Sequence, residues 1–187
     1  MTRIIAGSAK GRRLRTPSGE ATRPTSDRVR EALFSALEAE LGTLSGLRVL
    51  DLYAGTGAVA LEARSRGAAS VTAVESDRRT ARLVQDNAAT LGLDEVEVLA
   101  LTVARVLGEP PAAAYDVVFA DPPYPLENAQ VEAALTLLVG NGWLAPEGLL
   151  VVERSTRGGE PDWPPGLTRE REKKYGETVL WYVRADV

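Results

Sequence analysis

The sequence contains no cysteine and no histidine. It therefore has no thiolate or imidazole to act as a nucleophile or general base, no disulfide framework and none of the usual zinc ligands. Any catalysis must use carboxylates, hydroxyl groups, backbone groups or a bound cofactor. We accordingly expect no metal site.

Long apolar runs are also missing. The 187 residues are 44% hydrophobic and 26% charged, and no apolar run approaches the roughly 18–20 residues that cross a bilayer. The apolar stretch within residues 1–7 is too short for a secretory signal. We therefore expect a cytoplasmic protein without membrane association, with one domain and a small appendage.

Positive charge is scarce overall but concentrated near the start of the chain. The formal net charge is −4, whereas residues 1–30 hold eight basic and two acidic side chains, a net +6 that leaves −10 for the rest. Because arginine pairs bidentately with phosphate, a concentrated basic segment favours nucleic-acid contact over a merely solvated surface. The sequence thus predicts a basic arm on an acidic body.

Residues 1–24 have the pattern of an extension. Two short stretches flank the turn-rich spacer 7–11, which predicts a β-hairpin that is marginal alone and either packs on the body or orders on RNA. From Thr25 or Ser26, either a suitable N-cap, a helix is predicted through Leu41, with Gly42 as its stop. The predicted division is an extension over 1–24 and a catalytic domain over 25–187.

Beyond Gly42, apolar runs alternate with helical segments. The predicted strands are 48–52, 71–75, 96–100, 116–120 and 149–153, the predicted helices are 59–66, 78–91 and 127–139, and residues 167–174 and 178–184 are predicted to form an antiparallel hairpin. Such alternation predicts an α/β fold, with a mostly parallel sheet covered on both faces.

A glycine-rich stretch, Asp-Leu-Tyr-Ala-Gly-Thr-Gly, begins at Asp51 near the end of the first predicted strand. Gly55 and Gly57 permit a tight turn into a helix, which either holds a nucleotide-like cofactor or is a plain turn. Glu75 closes the second strand, where a carboxylate can accept hydrogen bonds from both hydroxyls of a ribose. Asp51 would repel the pyrophosphate of NAD but attract the sulfonium and ammonium of S-adenosylmethionine. We therefore favour S-adenosylmethionine, and Asp51 can also cap backbone N–H groups nearby.

Residues 121–124, Asp-Pro-Pro-Tyr, follow the fourth predicted strand. An amino group on an aromatic base is a weak nucleophile, because its lone pair is delocalised into the ring. The Asp121 carboxylate and the Pro122 carbonyl can accept both N–H hydrogens and direct the lone pair at the cofactor methyl. The prolines keep that carbonyl out of the sheet, and Tyr124 offers a ring for stacking. This chemistry is favoured over a strand end that merely packs on the core.

The missing cysteine agrees with methylation of nitrogen, since methylation of pyrimidine carbon 5 ordinarily uses a thiolate. Three classes of function stay open from these residues: an RNA amino-methyltransferase, an NAD-dependent oxidoreductase, and an RNA-binding module without catalysis. Within the first class, DNA adenine N6 and protein glutamine N5 suit the same pocket. The basic arm favours RNA.

The chain resembles the RNA small-subunit methyltransferase D family along nearly its whole length. The matching motifs are Ile-Ala-Gly at 5–7, Gly-Arg-Arg-Leu at 11–14, Arg-Pro-Thr-Ser-Asp-Arg-Val-Arg-Glu-Ala-Leu-Phe at 23–34, Leu-Asp-Leu-Tyr-Ala-Gly-Thr-Gly at 50–57, Leu-Glu-Ala at 61–63, Ser-Arg-Gly-Ala at 65–68 and Asp-Pro-Pro-Tyr at 121–124. The Arg-Pro-Thr segment is the most family-specific of these.

The resemblance implies a class I S-adenosylmethionine-dependent methyltransferase fold, with a seven-stranded, mostly parallel sheet and an antiparallel C-terminal hairpin. It implies methylation of the exocyclic N2 of one guanine in 16S ribosomal RNA, within a 30S subunit or an assembly intermediate, by a monomer. Related enzymes often carry an acid near the adenine after the third strand, where this chain has Leu101-Thr102-Val103. The adenine would then depend on the Thr102 hydroxyl or on backbone groups.

The site residues implied in this way form three groups. The cofactor group is Asp51, Tyr53, Ala54, Gly55, Thr56, Gly57, Glu75, Ser76, Thr102 and Val103; the catalytic group is Asp121, Pro122, Pro123 and Tyr124; the RNA-binding group is Lys10, Arg12, Arg13, Arg15, Arg23, Thr25 and Arg28.

Overall fold

The computed structural model describes residues 2–18 and 26–187. The helices and strands in these ranges are α1 (Asp27–Leu41), β1 (Arg48–Leu52), α2 (Ala58–Ser65), β2 (Ser70–Val74), α3 (Arg78–Thr90), β3 (Val96–Leu99), α4 (Val103–Leu107), β4 (Tyr115–Ala120), α5 (Asn128–Gly140), β5 (Leu144–Ser155), β6 (Leu167–Tyr175) and β7 (Thr178–Ala185).

All seven strands join one sheet in the order β3-β2-β1-β4-β5-β7-β6. The first five are mutually parallel, and β7 runs antiparallel to both β5 and β6. The chain order reverses between β1 and β4, and open α/β sheets bind ligands beside such a reversal, at the carboxyl ends of the strands. The predicted fold class, a Rossmann-like sheet with an antiparallel C-terminal hairpin, is confirmed.

Helices cover both faces of the central strands, which explains why β1, β2, β4 and residues 149–152 of β5 are mostly apolar and do not alternate with polar residues. One buried cluster packs Leu33 of α1, Ala60 of α2 and Val84 of α3 against one face. The other packs Val106 of α4 and Leu135 of α5 against the opposite face. Successive side chains of β4, from Val117 to Ala120, therefore enter the two cores in turn.

The N-terminal segment forms a short hairpin that packs on the body. Its two arms meet at the antiparallel bridge between Arg3 and Arg13, and Ile4 and Leu14 are buried against Leu61 and other residues of α2 and α3. A Cβ added at Gly7 would lie 1.9 Å from the carbonyl oxygen of Ser65, so glycine is needed for this close approach. Of the two predicted behaviours, packing on the body is confirmed.

A buried carboxylate in α2 holds this hairpin in place. Glu62 accepts hydrogen bonds from the backbone N–H groups of Ile5 at 2.8 Å and Ala6 at 3.0 Å. It also pairs with Arg66 at 2.8 Å and lies 3.7 Å from Arg30. Arg30 is fully buried, and burial lowers the pKa of its guanidinium although Glu62 and Asp27 oppose the shift. One of the eight basic residues counted in 1–30 is therefore structural and not available to RNA.

Ser26, one of the two predicted N-caps, caps α1: its side chain accepts from the N–H of Val29 at 3.2 Å. The main departures from the predictions concern α4 and β5. After β3, which stops at Leu99, Thr102 caps the unpredicted helix α4. Strand β5 begins at Leu144 and not at residue 149, and its pairing with β4 changes register where residues 146–148 interrupt the apolar pattern.

None of the helices within residues 2–18 and 26–187 combines the length and apolarity needed to cross a membrane.

Candidate active site

A cleft of about 990 Å³ opens at the carboxyl ends of the parallel strands. It is lined by every residue predicted for cofactor binding and catalysis except Gly57, namely Asp51, Tyr53, Ala54, Gly55, Thr56, Glu75, Ser76, Thr102, Val103, Asp121, Pro122, Pro123 and Tyr124. The structure thus brings together residues more than 70 positions apart in the sequence. Their individual roles stay predictions.

Asp51 lies at the base of the cleft, almost completely buried near the end of β1. Its Oδ2 accepts the N–H of Ala60 in the first turn of α2 at 3.1 Å. Asp51 therefore caps a backbone N–H group of this helix. Burial raises the pKa of this carboxyl well above its usual range, and the nearby charges of Asp121 and Glu75 raise it further, against the effect of the Ala60 hydrogen bond. A cation bound beside Asp51 would offset the cost of ionising this buried carboxyl by stabilising the carboxylate.

The turn after β1 is tightly constrained. Tyr53 has φ of 58°, a left-handed conformation that is uncommon for an aromatic residue and is often found at functional sites. Gly57 caps α2 with φ of 79°, and a Cβ there would lie 2.6 Å from Cγ1 of Val84. Gly57 therefore permits close packing of α2 on α3, which explains its position behind the cleft wall.

Glu75 connects this turn to the loop after β2. Its Oε1 accepts the N–H of Gly55 at 3.1 Å, and its Oε2 accepts the N–H of Asp77 at 2.7 Å. An ionised carboxylate offers about four acceptor positions, so these two bonds leave capacity for the hydroxyls of a ribose. The two backbone bonds hold the carboxylate in one orientation before any ligand arrives.

Thr102 and Val103 form the part of the wall that follows β3, the strand paired with β2. Thr102 accepts the N–H of Arg105 at 3.2 Å through its hydroxyl oxygen, which leaves the hydroxyl hydrogen able to donate. Val103 is buried and presents an apolar side to the cleft. This wall therefore offers a base one apolar surface and one hydroxyl, as expected for a pocket without an acid at this point.

The Asp-Pro-Pro-Tyr segment leaves the sheet directly after Ala120, which pairs with Leu52 of β1 and Val152 of β5. Pro122 is buried, whereas half of the Tyr124 surface is exposed. The segment turns back through a hydrogen bond from the N–H of Leu126 to the carbonyl of Pro123 at 2.9 Å. All four residues of the segment line the cleft, from the buried Pro122 to the half-exposed Tyr124.

Negative charge dominates the cleft. Among the described lining residues, the carboxylates are Asp51, Glu75, Asp77, Asp121 and Glu153, and Arg154 supplies the one basic group. Such a lining attracts a cationic ligand and repels a pyrophosphate.

Comparisons with known proteins agree with this geometry. The family model described as "Conserved hypothetical protein 95" matches residues 2–184. The chain is 38% identical to ribosomal RNA small subunit methyltransferase D of Escherichia coli strain K12, over 95% of this chain and 86% of the relative. The chain belongs to the RNA small-subunit methyltransferase D family. The family prediction made from the motifs is confirmed.

Solved structures extend the comparison. The Escherichia coli protein yhhF is 34% identical and superimposes with a TM-score of 0.88, covering 99% of this chain and 98% of that one. Magnesium protoporphyrin IX methyltransferase of Synechocystis PCC 6803, solved with S-adenosylmethionine bound, shares the fold with a TM-score of 0.67 at 14% identity, covering 88% and 87% of the two chains. The methyltransferase fold of this family member is therefore shared well beyond its own family.

The RNA-binding residues predicted for this family member lie mostly on the surface. Lys10, Arg12, Arg13 and Arg15 on the hairpin and Arg28 in α1 are exposed. Arg12 also donates to the carbonyl of Thr90 at 3.0 Å, which holds it against the end of α3. Arg23 and Thr25 lie outside the described residues.

Sequence reasoning missed several polar residues that line the cleft, of which the main ones are Ser26, Glu153, Arg154, Ser155 and Thr178. Glu153 closes a predicted strand at the edge where ligands bind, so its position was a usable signal. Arg154 donates to the carbonyl of Leu126 at 2.6 Å and thereby anchors the end of the Asp-Pro-Pro-Tyr loop. Thr178 carried no such signal, because only the antiparallel insertion of β7 brings its first residue to this edge.

Proposed function

We propose that this protein transfers a methyl group from S-adenosylmethionine to the exocyclic N2 of a guanine in 16S ribosomal RNA. One observation carries the proposal: Asp121 and Pro122 open into the same cleft as Asp51 and Glu75. A pocket for a cationic methyl donor and a pair of acceptors for an amino group therefore share one space.

The residues of the first three strand ends fit S-adenosylmethionine. Asp51 offers negative charge to the donor's cationic groups, Glu75 offers acceptors to the ribose, and Thr102 with Val103 offers a hydroxyl and an apolar surface to the adenine. When bound, the sulfonium group supplies an electrophilic methyl. NAD fits less well, because its pyrophosphate would meet the carboxylates of the cleft.

The fourth strand end fits an amino nucleophile. Two acceptors at Asp121 and Pro122 would bind both amino hydrogens, which localises the nitrogen lone pair and points it along one direction. Tyr124 would stack on the base, an interaction worth about 1–3 kcal/mol in single-strand recognition. Orientation is thus the main contribution of the protein, and no general base is needed before the nitrogen becomes cationic.

Family membership confirms the predicted enzyme class, an rRNA methyltransferase that depends on S-adenosylmethionine. We extend this to a 30S subunit or an assembly intermediate as the substrate, to a monomeric enzyme and to RNA contacts through the basic hairpin. DNA adenine N6 and protein glutamine N5 present similar amino groups. A protein substrate would leave the exposed arginines of the hairpin without phosphates to bind, and family membership favours ribosomal RNA over DNA.

The test uses small-subunit particles from a bacterial strain that lacks the gene. The wild-type protein should transfer labelled methyl from S-adenosylmethionine to these particles, and mapping should place the label on N2 of one guanine. Asp121→Ala should reduce transfer by about 10²-fold or more, the loss that follows when a reacting group is misplaced by about 1 Å, while cofactor affinity stays within about twofold. A label on DNA, protein or an adenine would contradict the proposal, as would equal loss of transfer and cofactor binding.

A further inference from the structure

Several polar residues line the cleft beyond those assigned to the cofactor and to the amino group. Three elements supply these residues: α1 with Ser26, β5 with Glu153 and Ser155, and β7 with Thr178. These elements are distant in sequence, yet all present oxygen-bearing side chains at one edge of the sheet. Polar groups that converge in a partly apolar cleft suit a ligand with hydrogen-bonding edges, such as a nucleobase.

Glu153 is the β5 counterpart of Asp121. The last paired residues of β4 and β5 are Ala120 and Val152, and Asp121 and Glu153 each follow directly. Val151 and Phe119, the partner of Asp51, pack in the same core, on the face of the sheet that α1 covers. Because side chains two residues apart on a strand share a face, Glu153 lies on that face as well. Two carboxylates therefore enter the cleft from neighbouring strands on the side of α1.

The remaining hydroxyl groups complement these acceptors. Ser26 accepts the N–H of Val29 at 3.2 Å, and Ser155 accepts the N–H of Arg157 at 3.1 Å. Both oxygens are thereby oriented while their hydroxyl hydrogens stay able to donate. These residues thus offer one strong acceptor and several donors.

We propose that Glu153 selects guanine over adenine by accepting the N1–H of the target base. This inference rests on the proposed function. Guanine carries N1–H beside its N2 amino group, and the acceptor O6 lies next to N1 on the other side. In the proposed arrangement Asp121 accepts from the N2 amino group, Glu153 accepts from N1–H, and a hydroxyl donates to O6. Adenine carries a lone pair at N1, which the Glu153 carboxylate repels. Glu153 is thus a specificity-determining residue, separate from the acceptors that orient the amino nitrogen.

The inference predicts how the enzyme treats a base that keeps the N2 amino group but lacks N1–H. 2-Aminopurine is such a base; it also lacks O6, a difference that is the same for the wild-type protein and for a variant at Glu153. Sites built to hydrogen-bond a substrate N–H reject analogues without it by up to about 10⁴–10⁵-fold, so the wild-type protein should methylate guanine at least about 100-fold faster than 2-aminopurine at the same position.

Glu153→Gln should strongly reduce the preference for guanine over 2-aminopurine. The glutamine oxygen still accepts from N1–H of guanine, while its NH₂ donates to the bare ring nitrogen of 2-aminopurine. We expect the ratio of the guanine rate to the 2-aminopurine rate to fall at least tenfold, because one hydrogen-bonded group contributes discrimination of at least about this size. Glu172→Gln, an exposed carboxylate on β6 outside the cleft lining, should leave the ratio unchanged.

Both rates are measured on particles assembled with guanine or 2-aminopurine at the mapped nucleotide. Because the ratio is taken within one enzyme preparation, it does not depend on the folded fraction of the variant. An equal fall of both rates in Glu153→Gln, with the ratio preserved, would overturn the inference and leave the methyltransferase intact. Failure of the wild-type protein to methylate guanine would overturn the proposed function itself.

Discussion

The Asp51 carboxyl group is both a cap for α2 and a buried ionisable group. It caps α2 through Ala60, and it lies buried among other carboxylates with its pKa raised. A raised pKa means that the native state holds a proton more tightly than the unfolded state. The stability of the ligand-free protein is therefore expected to fall as pH rises from about 4, the ordinary pKa of aspartate, through the folded pKa. Above the folded pKa, the ionised carboxylate destabilises the ligand-free protein to its full extent, until a cation binds in the cleft.

Asp51→Asn should separate these two roles. Asparagine keeps an oxygen for the Ala60 N–H but does not ionise, so the free energy of unfolding of the ligand-free variant at pH 8 should rise by about 0.5–2 kcal/mol. The difference from wild type should shrink at pH 5, as measured by urea denaturation. The same variant should bind S-adenosylmethionine at least about tenfold more weakly, about 1.4 kcal/mol.

Asp86→Asn on α3 removes one charge from an exposed position and serves as the control. It should change neither stability nor cofactor affinity appreciably. An Asp51→Asn variant that is less stable than wild type at pH 8 would show that the ionised carboxylate stabilises the ligand-free fold.

The N-terminal hairpin shows how an element too small to fold alone is held. Its apolar residues add to the core beside α2 and α3, and Glu62 binds two of its backbone N–H groups. The Asn87 side chain adds hydrogen bonds to the backbone of Arg15 in both directions. The hairpin therefore presents its arginines on a fixed scaffold, which would lower the entropic cost of the proposed RNA contact.

Reversing the charge of the hairpin should weaken RNA binding. The double variant Arg12→Glu and Arg13→Glu is expected to lose at least about tenfold in affinity for small-subunit particles at 0.15 M salt. Each lost phosphate contact should also reduce the slope of log affinity against log salt by about 0.7–0.9. Titrations of particle binding at several salt concentrations measure both effects.

The matched control reverses Lys173 and Lys174, which are exposed on β6. This strand lies at the opposite edge of the sheet from β3, and the net charge change is the same. Equal losses in the two double variants would indicate that overall charge, and not the hairpin, governs binding.

At the scale of the whole molecule, the order reversal between β1 and β4 creates the functional cleft. Residues that pair across this boundary, Asp51 with Phe119 and Leu52 with Ala120, place the glycine-rich turn and the Asp-Pro-Pro-Tyr segment side by side. Because α2 and α5 leave the strands toward opposite faces of the sheet, space stays open between the two loops.

A ligand that binds this cleft should stabilise the whole fold. At a concentration 100 times its Kd, S-adenosylmethionine should add about 2.7 kcal/mol to the free energy of unfolding, which raises the melting temperature of a chain of this size by about 5–10 °C. NAD at the same concentration should produce no rise. Calorimetric melting curves with each compound make the comparison, and stabilisation by NAD alone would favour the oxidoreductase interpretation.

Much of this protein was open to prediction from the sequence, because the signals are local. Apolar runs and glycines mark the strands and turns through steric limits that act within a few residues. The Asp51 stretch and residues 121–124 were assigned to one cleft because parallel strands end at a common edge. The short helix α4 escaped prediction because its five residues are too few to show a helical period.

The tertiary structure determined which polar residues serve which purpose. Arg30 belongs by sequence to the basic arm, yet packing buries it beside Glu62. Thr178 reaches the cleft because β7 inserts between β5 and β6. Pattern and turn chemistry act between near neighbours, whereas burial and strand order depend on contacts between distant parts of the chain, and no local signal encodes those contacts.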